Sequence, residues 1–418
     1  MKAAAVQRPM SRVIYRYKSL LLPAQFIRRT NRFVCKVQMD TRDAPPRAGS
    51  AAAGSGDLTD VYCPNTGSML NLLPTPGLPR NCHLSSVPKS NSSAALLGEG
   101  KSKAKAAPRK YAHTLEVVQD HDSGAWVGIQ SRLANDMVHS ALQQGLIPEL
   151  QGYSQLRREV TTTHGGYGRG GGSSTGVCAS ADAGAGARSG NEDEETSRTD
   201  FQLMWHAAAA ATPTPTTATA ASSSSSNDPF AAFACPSHVG TVSHSSTTVE
   251  TASESVTCNM LMEVKSVTLV RDKSDGNTGT SAGNNRIAEF PDCVSARASK
   301  HLRCLMEHKA ANPKLHRAAV FFLIQRDDCN SFQACHIDAE YTALLETAVA
   351  AGVEVIAYAC RLDPSRGVVT LLQDAVLHKP NPLPPDVMLE LQRKKAKSKR
   401  KRKRKVVTPD SRCEEEKV

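Results

Sequence analysis

The chain has 418 residues, room for two or three domains, but only 5% aromatic residues, too few for the whole length to be packed core. Its net charge of +11 is a local property: between Arg393 and Lys405 only Ala396 and Ser398 are neither Lys nor Arg, and without that run the chain is formally neutral. Twelve cysteines with no C-x-x-C pair and no Cys/His zinc spacing exclude a zinc-ribbon reading, and an apolar run no longer than Ala318 to Ile324 excludes a membrane-spanning helix. With no apolar secretory segment either, a soluble intracellular protein with reduced thiols is expected.

Residues 1–19 hold Lys2, Arg8, Arg12, Arg16 and Lys18, and no acid precedes Asp40. The segment reads either as a disordered N-terminus or as an organellar leader. From Leu20 to about residue 110 short strands alternate with turn-rich sequence. Phe33 to Met39 and Asp60 to Met69 are the clearest, the latter running into a Pro-Asn-Thr-Gly turn, with polar inserts at about 43–56 and 86–108. A small β-barrel or sheet is expected for this unit, which also draws on the strand-like stretches Lys110 to Gln119 and Trp126 to Gln130.

Residues 131–150 switch to helical spacing, with Leu133, Met137, Ala141 and Leu142 on one face and Gly145 as the stop. Three further low-complexity segments follow, at about 161–197, 206–257 and 271–288. Their Gly-, Ser- and Thr-rich compositions cannot bury enough apolar surface to fold, so they read as loops on a common scaffold. Helices over 294–309 and 338–351 alternate with strands Ala319–Ile324 and Val353–Tyr358, which predicts an α/β unit running from about 111 to 385. From 386 the charged tail is expected to be disordered, as a nuclear address or as a polycationic arm for DNA. Leader and tail leave a mitochondrial and a nuclear destination both open.

Two stretches carry candidate chemistry. Thr199 to Trp205 and Met260 to Leu269 read as strands, the two ends of a hairpin whose tip is the 206–257 insert. On a strand Glu263 and Lys265 share a face, and pairing of the two strands brings Asp200 beside Glu263. Two carboxylates form a hard oxygen pocket for Mg²⁺, with Mn²⁺ as a substitute, and an ammonium beside them suits phosphodiester hydrolysis. Asp…Glu-x-Lys is the pattern of the PD-(D/E)xK nucleases. The competing reading is a surface strand with a paired Glu and Lys. Arg297 and His301, at i and i+4 on one helix, read as a phosphate contact or as a solvated face, and Asn65-Thr66-Gly67 as a backbone contact or simply a turn. Cys63 reads as a buried small residue.

Arg32-Phe33, Cys63-Pro64-Asn65-Thr66-Gly67-Ser68-Met69, Asn135, Glu159-Val160, Ser197-Arg198-Thr199-Asp200-Phe201, Glu263-Val264-Lys265-Ser266-Val267-Thr268-Leu269, Phe290-Pro291-Asp292, Arg297, Lys300-His301-Leu302, Asp338 and Gly352-Val353-Glu354-Val355 occur together and in this order. On those residues the chain resembles the sugar fermentation stimulation protein A family, from about Leu20 to Val376 between the inserts. The resemblance implies an N-terminal OB-like barrel followed by a mixed α/β, PD-(D/E)xK nuclease-like domain, with DNA as the partner. It implies Asp200 and Glu263 as metal acids, Lys265 as the catalytic lysine and Glu159 as a supporting acid. Nucleic-acid contacts are expected from Arg32, Asn65, Thr66, Arg297 and His301, and from Lys399, Arg400, Lys401 and Arg402 of the tail. Ala298, where the family usually has glycine, and Cys293, where a small residue is usual, depart from the pattern. The expected function is a DNA-binding protein with a nuclease-like domain, the alternative an active Mg²⁺-dependent nuclease. No small-molecule cofactor and no membrane contact are expected, and monomer or homodimer is left open.

Overall fold

The N-terminal segment is already part of the folded body at residue 12. The computed structural model describes residues 12–39, 58–86, 110–165, 194–206, 256–272 and 286–406, and the expected low-complexity inserts fall almost wholly outside them, as do residues 1–11 and 407–418. β1 (Val13–Arg16) pairs antiparallel with a strand more than 350 residues later, Val13 opposite Thr370. Arg12 fixes that edge, its Nη2 donating to the Leu372 carbonyl at 2.7 Å, and Ile14 is buried beneath it. Residues 12–16 are thus an edge strand and not a disordered leader. Four residues preceded by Arg12 and ending in Arg16, typical of a guarded edge, carry too little pattern to signal a strand.

The barrel comes next. Its strands are β2 (Leu22–Asn31), β3 (Val34–Met39), β4 (Leu58–Tyr62), β5 (Arg80–Ser86), β6 (His113–Gln119) and β7 (Trp126–Gly128), in the order β4-β3-β2-β5-β6-β7, and a β4–β6 pairing at Tyr62 and Thr114 closes it. Alternate residues turn inward, Cys35 and Val37 on β3 and Cys82 and Leu84 on β5, around Phe26, Leu72 and Val118. Because β6 is the closing strand, the first domain runs to about residue 128 rather than to 110.

Helix α1 (Leu133–Gln143) stops at Gly145, whose φ of +63° suits a glycine. The second domain is built on β8 (Gln155–Gly165), β9 (Glu194–His206), β10 (Val256–Val267), β11 (Leu269–Asp272), β12 (Arg286–Phe290), α2 (Ala296–Ala311), β13 (His316–Ile324), β14 (Cys329–Ala334), α3 (Ala339–Ala350), β15 (Glu354–Asp363), β16 (Val368–Ala375) and β17 (Leu377–His378). Seven strands form one sheet in the order β1-β16-β15-β13-β10-β9-β8, and β11-β12-β14-β17 form a smaller one. β10, β13 and β15 run parallel at the centre. β13 is buried from Ala318 to Ile324, as a central parallel strand covered on both faces must be. Met137, Val138 and Ala141 of α1 pack on one face with Phe201 and Met262, while Leu302 of α2 and Leu345 of α3 pack on the other with Val320 and Phe322. Each such fully buried large side chain contributes about 1.5–3 kcal/mol.

β9 and β10 form the expected antiparallel hairpin, with Met260 opposite Leu203 and Met262 opposite Phe201. The flanks of the inserts are more ordered than their composition suggests: β8 extends to Gly165 and β9 begins at Glu194. The tail also departs from expectation, since α4 (Pro385–Val406) is a helix over much of the basic run. Pro385 and Asp386 suit a helix start, Lys and Arg are good helix formers, and Glu390 pairs with Lys394 one turn on at 2.6 Å.

A buried ionic cluster joins barrel to second domain. Arg326, fully buried, donates from Nη2 to Asp120 Oδ2 at 2.8 Å, from Nε to Asp328 Oδ1 at 2.6 Å and from Nη1 to the Thr268 carbonyl at 3.1 Å. Arg286 adds a bond from Nη1 to Asp328 Oδ2 at 2.6 Å, and Asp120 Oδ1 accepts the backbone N–H groups of Asp122 and Ser123. Burial opposes the charge on both aspartates, and the two arginines outweigh it, holding Asp120 and Asp328 below the ordinary carboxylate range.

Candidate functional site

The β9–β10 register ends at the pair Met262–Phe201, and the next residues on the two strands are Glu263 and Asp200. Asp200 fills the missing ladder contact with its side chain: Oδ2 accepts the Val264 N–H at 2.8 Å. Its Oδ1 accepts from Asn135 Nδ2 of α1 at 2.6 Å. Glu263, 4% exposed, shares its face with Lys265 as strand alternation requires, and Lys265 Nζ donates to Glu263 Oε1 at 2.8 Å.

His301 of α2 meets the same oxygen from above through Nδ1. Arg297 Nε donates to His301 Nε2 at 3.4 Å, and an arginine can only donate, so Nε2 accepts and Nδ1 carries the proton given to Glu263. Both donors hold Oε1 and neither touches Oε2. Burial disfavours the charge on both acids. At Glu263 the Lys265 ammonium and the His301 hydrogen bond outweigh it and hold the carboxyl below its ordinary range. At Asp200 burial, with Glu263 adding to it, wins and raises the pKa. The Glu263 charge thus bears on Asp200, and one ammonium, that of Lys265, acts on both.

They form the floor of a cavity of about 390 Å³ walled by three elements. Arg32, Thr66 and Gly67 line the barrel side, Arg132 and Asn135 the start of α1, and Cys293 to Arg297 the start of α2. The barrel turn is pinned to the opposite wall: Ser68 Oγ donates to the Asp292 carbonyl at 2.6 Å, and Met69 N to Asp292 Oδ2 at 3.3 Å. Gly67 stands so close that a Cβ there would lie 2.2 Å from Asp292 Oδ2. Ser295 caps α2 through the Ala298 N–H, and Asp338, which caps α3, also accepts the Ser295 N–H at 2.9 Å.

The structure therefore brings together Asp200, Glu263, Lys265, His301, Arg297, Arg32 and Thr66, and sorts them by role. Arg32, Thr66 and Arg297 are exposed at the rim. His301 is 9% exposed and spent on Glu263 and Arg297, so it supports the acid and is not an open phosphate contact. Asn65 is 6% exposed with both ends engaged, Nδ2 on the Ile129 carbonyl at 3.0 Å and Oδ1 on Gly67 N at 2.7 Å, which makes it the turn's architect. Glu159 lies outside the cavity. Its backbone is left-handed, with φ of +54°, and its exposed carboxylate pairs with Arg198, not with Arg157 or Arg158. Arg158 pairs with Asp136 at 2.7 Å. Lys399 to Arg402 fall in the later turns of α4, a helix remote in sequence from the cleft. Cys63 is fully buried, 3.6 Å from the Met69 sulfur.

Asp292 and Arg132 also line the cleft, and Arg29 stands behind its barrel wall. Arg29 donates to the carbonyls of Asn65, Gly67, Ser68 and Arg32, shaping the 65–68 turn. Only the Arg-Arg pair at 28–29 and the Phe-Pro-Asp triplet hint at two of these in the sequence; nothing local marks Arg132.

A closed barrel of OB type followed by a mixed α/β domain, with acids and a lysine on adjacent central strands, defines the class of protein. The family model described as SfsA N-terminal OB domain matches residues 27–129, and that described as Sugar fermentation stimulation protein RE domain matches residues 246–366. A sugar fermentation stimulation protein homolog of Shewanella sp. (strain MR-7) is 30% identical over 349 residues, covering 83% of this chain and 94% of its own length. One from Saccharophagus degradans is 29% identical over 351 residues, covering 84% and 95%. A solved structure, Pyrococcus furiosus SfsA in complex with Ca²⁺, superposes with a TM-score of 0.46 at 17% identity, covering 88% of this chain and 99% of that one. The chain belongs to the sugar fermentation stimulation protein family. No helix among the described residues is long and apolar enough to cross a membrane.

Proposed function

We propose that the chain binds DNA in the cleft between its two domains, with the phosphate backbone held at the rim. One observation carries this reading: three exposed arginines from three separate elements, Arg32, Arg132 and Arg297, surround a sunken pair of carboxylates. Arginines around a polar floor favour phosphate, and a cleft walled by low-dielectric protein focuses their field. The basic run of α4 adds a sequence-independent contact whose strength falls steeply with salt.

A second reading, metal-dependent cleavage of the bound strand, is favoured by the pairing of Asp200 with Glu263 beside Lys265. Among the described residues no cluster of three or more His, Cys, Asp or Glu is placed to hold a metal, which disfavours a zinc-type cage. Two carboxylates with an open Oε2 suit Mg²⁺ or Mn²⁺, cations that take one or two protein carboxylates and complete their shell with water and phosphate oxygens. Asp200 and Glu263 would hold the ion, which would supply Lewis acidity toward the phosphate and a water of lowered pKa. The chain's own residues set the stage: Asn135 and the Val264 N–H orient Asp200, His301 and Lys265 orient Glu263, and Lys265 would set positive charge beside the phosphoryl oxygens, on which negative charge develops. Incubation of the protein with single- and double-stranded DNA, with and without Mg²⁺ or Mn²⁺, tests both readings. Binding without cleavage leaves a DNA-binding protein, and cleavage lost in Lys265→Ala establishes the nuclease. No binding to any DNA sinks both.

A further inference from the structure

The walls of the cleft are tied together by the Ser68–Asp292 bridge, which bears on the form of DNA it accepts. We propose that the site takes a single unpaired DNA strand, with one base stacked on Phe33, and not an intact duplex. This deepens the DNA-binding reading and rests on it.

Three observations carry the inference. The first is size. The recess above the acids holds about 390 Å³, at the lower end of the roughly 300–1,000 Å³ that pockets for one drug-sized ligand span, so one nucleotide fits down to the floor and a base pair does not. The second is rigidity. Glu263 is 4% exposed on the floor, and the wall above it is held by the Ser68–Asp292 bridge at 2.6 Å and by the buried Arg326–Asp120 contact at 2.8 Å. Opening the cleft for a duplex means breaking a buried ion pair between the domains, whereas a single flexible strand threads in without it. The third is an exposed aromatic. Phe33, at the β2–β3 turn, is 44% exposed, and the Arg32 guanidinium lies 5.7 Å from its ring centroid. Arg32 itself lines the cavity. An arginine for phosphate beside an open ring for a base is the pairing that single-strand binders use, and it has no use for bases already stacked in a duplex. Val294, 76% exposed on the opposite wall, supplies a second apolar surface for an unpaired base.

The test uses the full chain with a fluorescein-labelled 12-nucleotide single strand and a blunt hairpin duplex of the same sequence. Anisotropy titrations are made at salt high enough to weaken the tail's contacts. Phe33→Ala should lower affinity for the single strand by about fivefold or more, the effect of removing one stacking side chain, and leave duplex affinity unchanged. Phe33→Tyr, which keeps the ring, should bind like the wild type. Should the alanine variant lose stability, Phe33→Leu keeps the apolar bulk without the ring and makes the same distinction. A wild type that binds the duplex as tightly as the single strand, a single-strand effect below fivefold, or an equal loss on both probes overturns the inference while DNA binding stands. Absence of binding to either probe removes the DNA reading and the inference together.

Discussion

Two buried charge clusters are built on opposite principles. Around Arg326 two arginines face two aspartates, the net charge is zero, and Asp120 and Asp328 are both pulled below the ordinary carboxylate range. Around Glu263 two carboxylates share one ammonium, and the Asp200 pKa is pushed up, first by burial and then by Glu263. A charge-balanced cluster of this kind acts as a joint. An unsaturated one keeps acceptor capacity and excess negative charge, an arrangement that costs stability until a cation arrives. Burial alone does not separate the two, for Arg326 is fully buried and Glu263 nearly so. The balance of donors and acceptors does.

The sharpest break of this contrast is at the joint. Arg326→Met leaves Arg286 alone against two buried aspartates, so one of the two negative charges is uncompensated, and should destabilise the protein by about 3–5 kcal/mol in chemical denaturation. A loss below about 1 kcal/mol would mean the aspartates are solvated and the joint is not dry. The same aspartates set an acid limit. Their folded pKa values lie below the unfolded ones, so their contribution is fully present above the unfolded carboxylate pKa of about 4 and is lost as pH falls further, through the folded values. Melting temperature should drop below pH ~4, and by less in Arg326→Met.

At the cleft the sign reverses. Asp200 has a raised pKa, so its contribution is present at low pH and is lost as pH rises through the folded value. Asp200→Asn should therefore stabilise the metal-free protein near neutral pH, on the order of 1 kcal/mol. Mg²⁺ or Mn²⁺ at about a hundred times its Kd should stabilise the wild type by about 2.7 kcal/mol, seen as a shift in Tm. That response should vanish in Asp200→Asn and Glu263→Gln and survive in Lys265→Ala, because an ammonium is no metal ligand. A wild type indifferent to both ions would make the cluster a second joint and end the nuclease reading.

The wall of the cleft offers a smaller effect. In Gly67→Ala the new Cβ falls 2.2 Å from Asp292 Oδ2, which already accepts from Met69 N. The turn or the carboxylate must yield, at about 1–3 kcal/mol. If the cleft depends on that bridge, DNA affinity falls with it; stability lost with affinity intact would show that the bridge supports the fold alone.

How much of the fold and site is legible in the sequence follows from distance along the chain. Asp200, Glu263 and Lys265 are legible because strand alternation and a hairpin are short-range rules, and the hairpin register carries them. The Arg326–Asp120 contact spans 206 positions, and no local pattern announces it. His301 is visible as the i+4 partner of Arg297, yet its role depends on α2 crossing β10, a tertiary fact, so the sequence alone suggests a phosphate contact where the structure has a support for Glu263. β14 escapes notice because Cys329-Asn330-Ser331-Phe332 lacks a strong strand pattern. The basic run reads as disorder when composition is weighed over helix propensity, whereas in the structure Lys and Arg, both good helix formers, extend α4 through it.

Glu159 marks the smallest effect and the finest cut between joint and site. The family resemblance makes it a supporting acid, whereas the structure places it outside the cavity, exposed and paired with Arg198, two residues before Asp200 on the same strand. An exposed pair of this kind is worth about 0.2–1 kcal/mol. Glu159→Gln should therefore cost under about 1 kcal/mol and leave the Mg²⁺-dependent rise in Tm intact. If the metal response falls with Glu159, then DNA or the ion draws that carboxylate inward, and the site has three acids. If only the small stability change is seen, Glu159 belongs to the edge of the sheet, and its left-handed backbone, with φ of +54°, reports a local break between β8 and β9 and not a strained catalytic group.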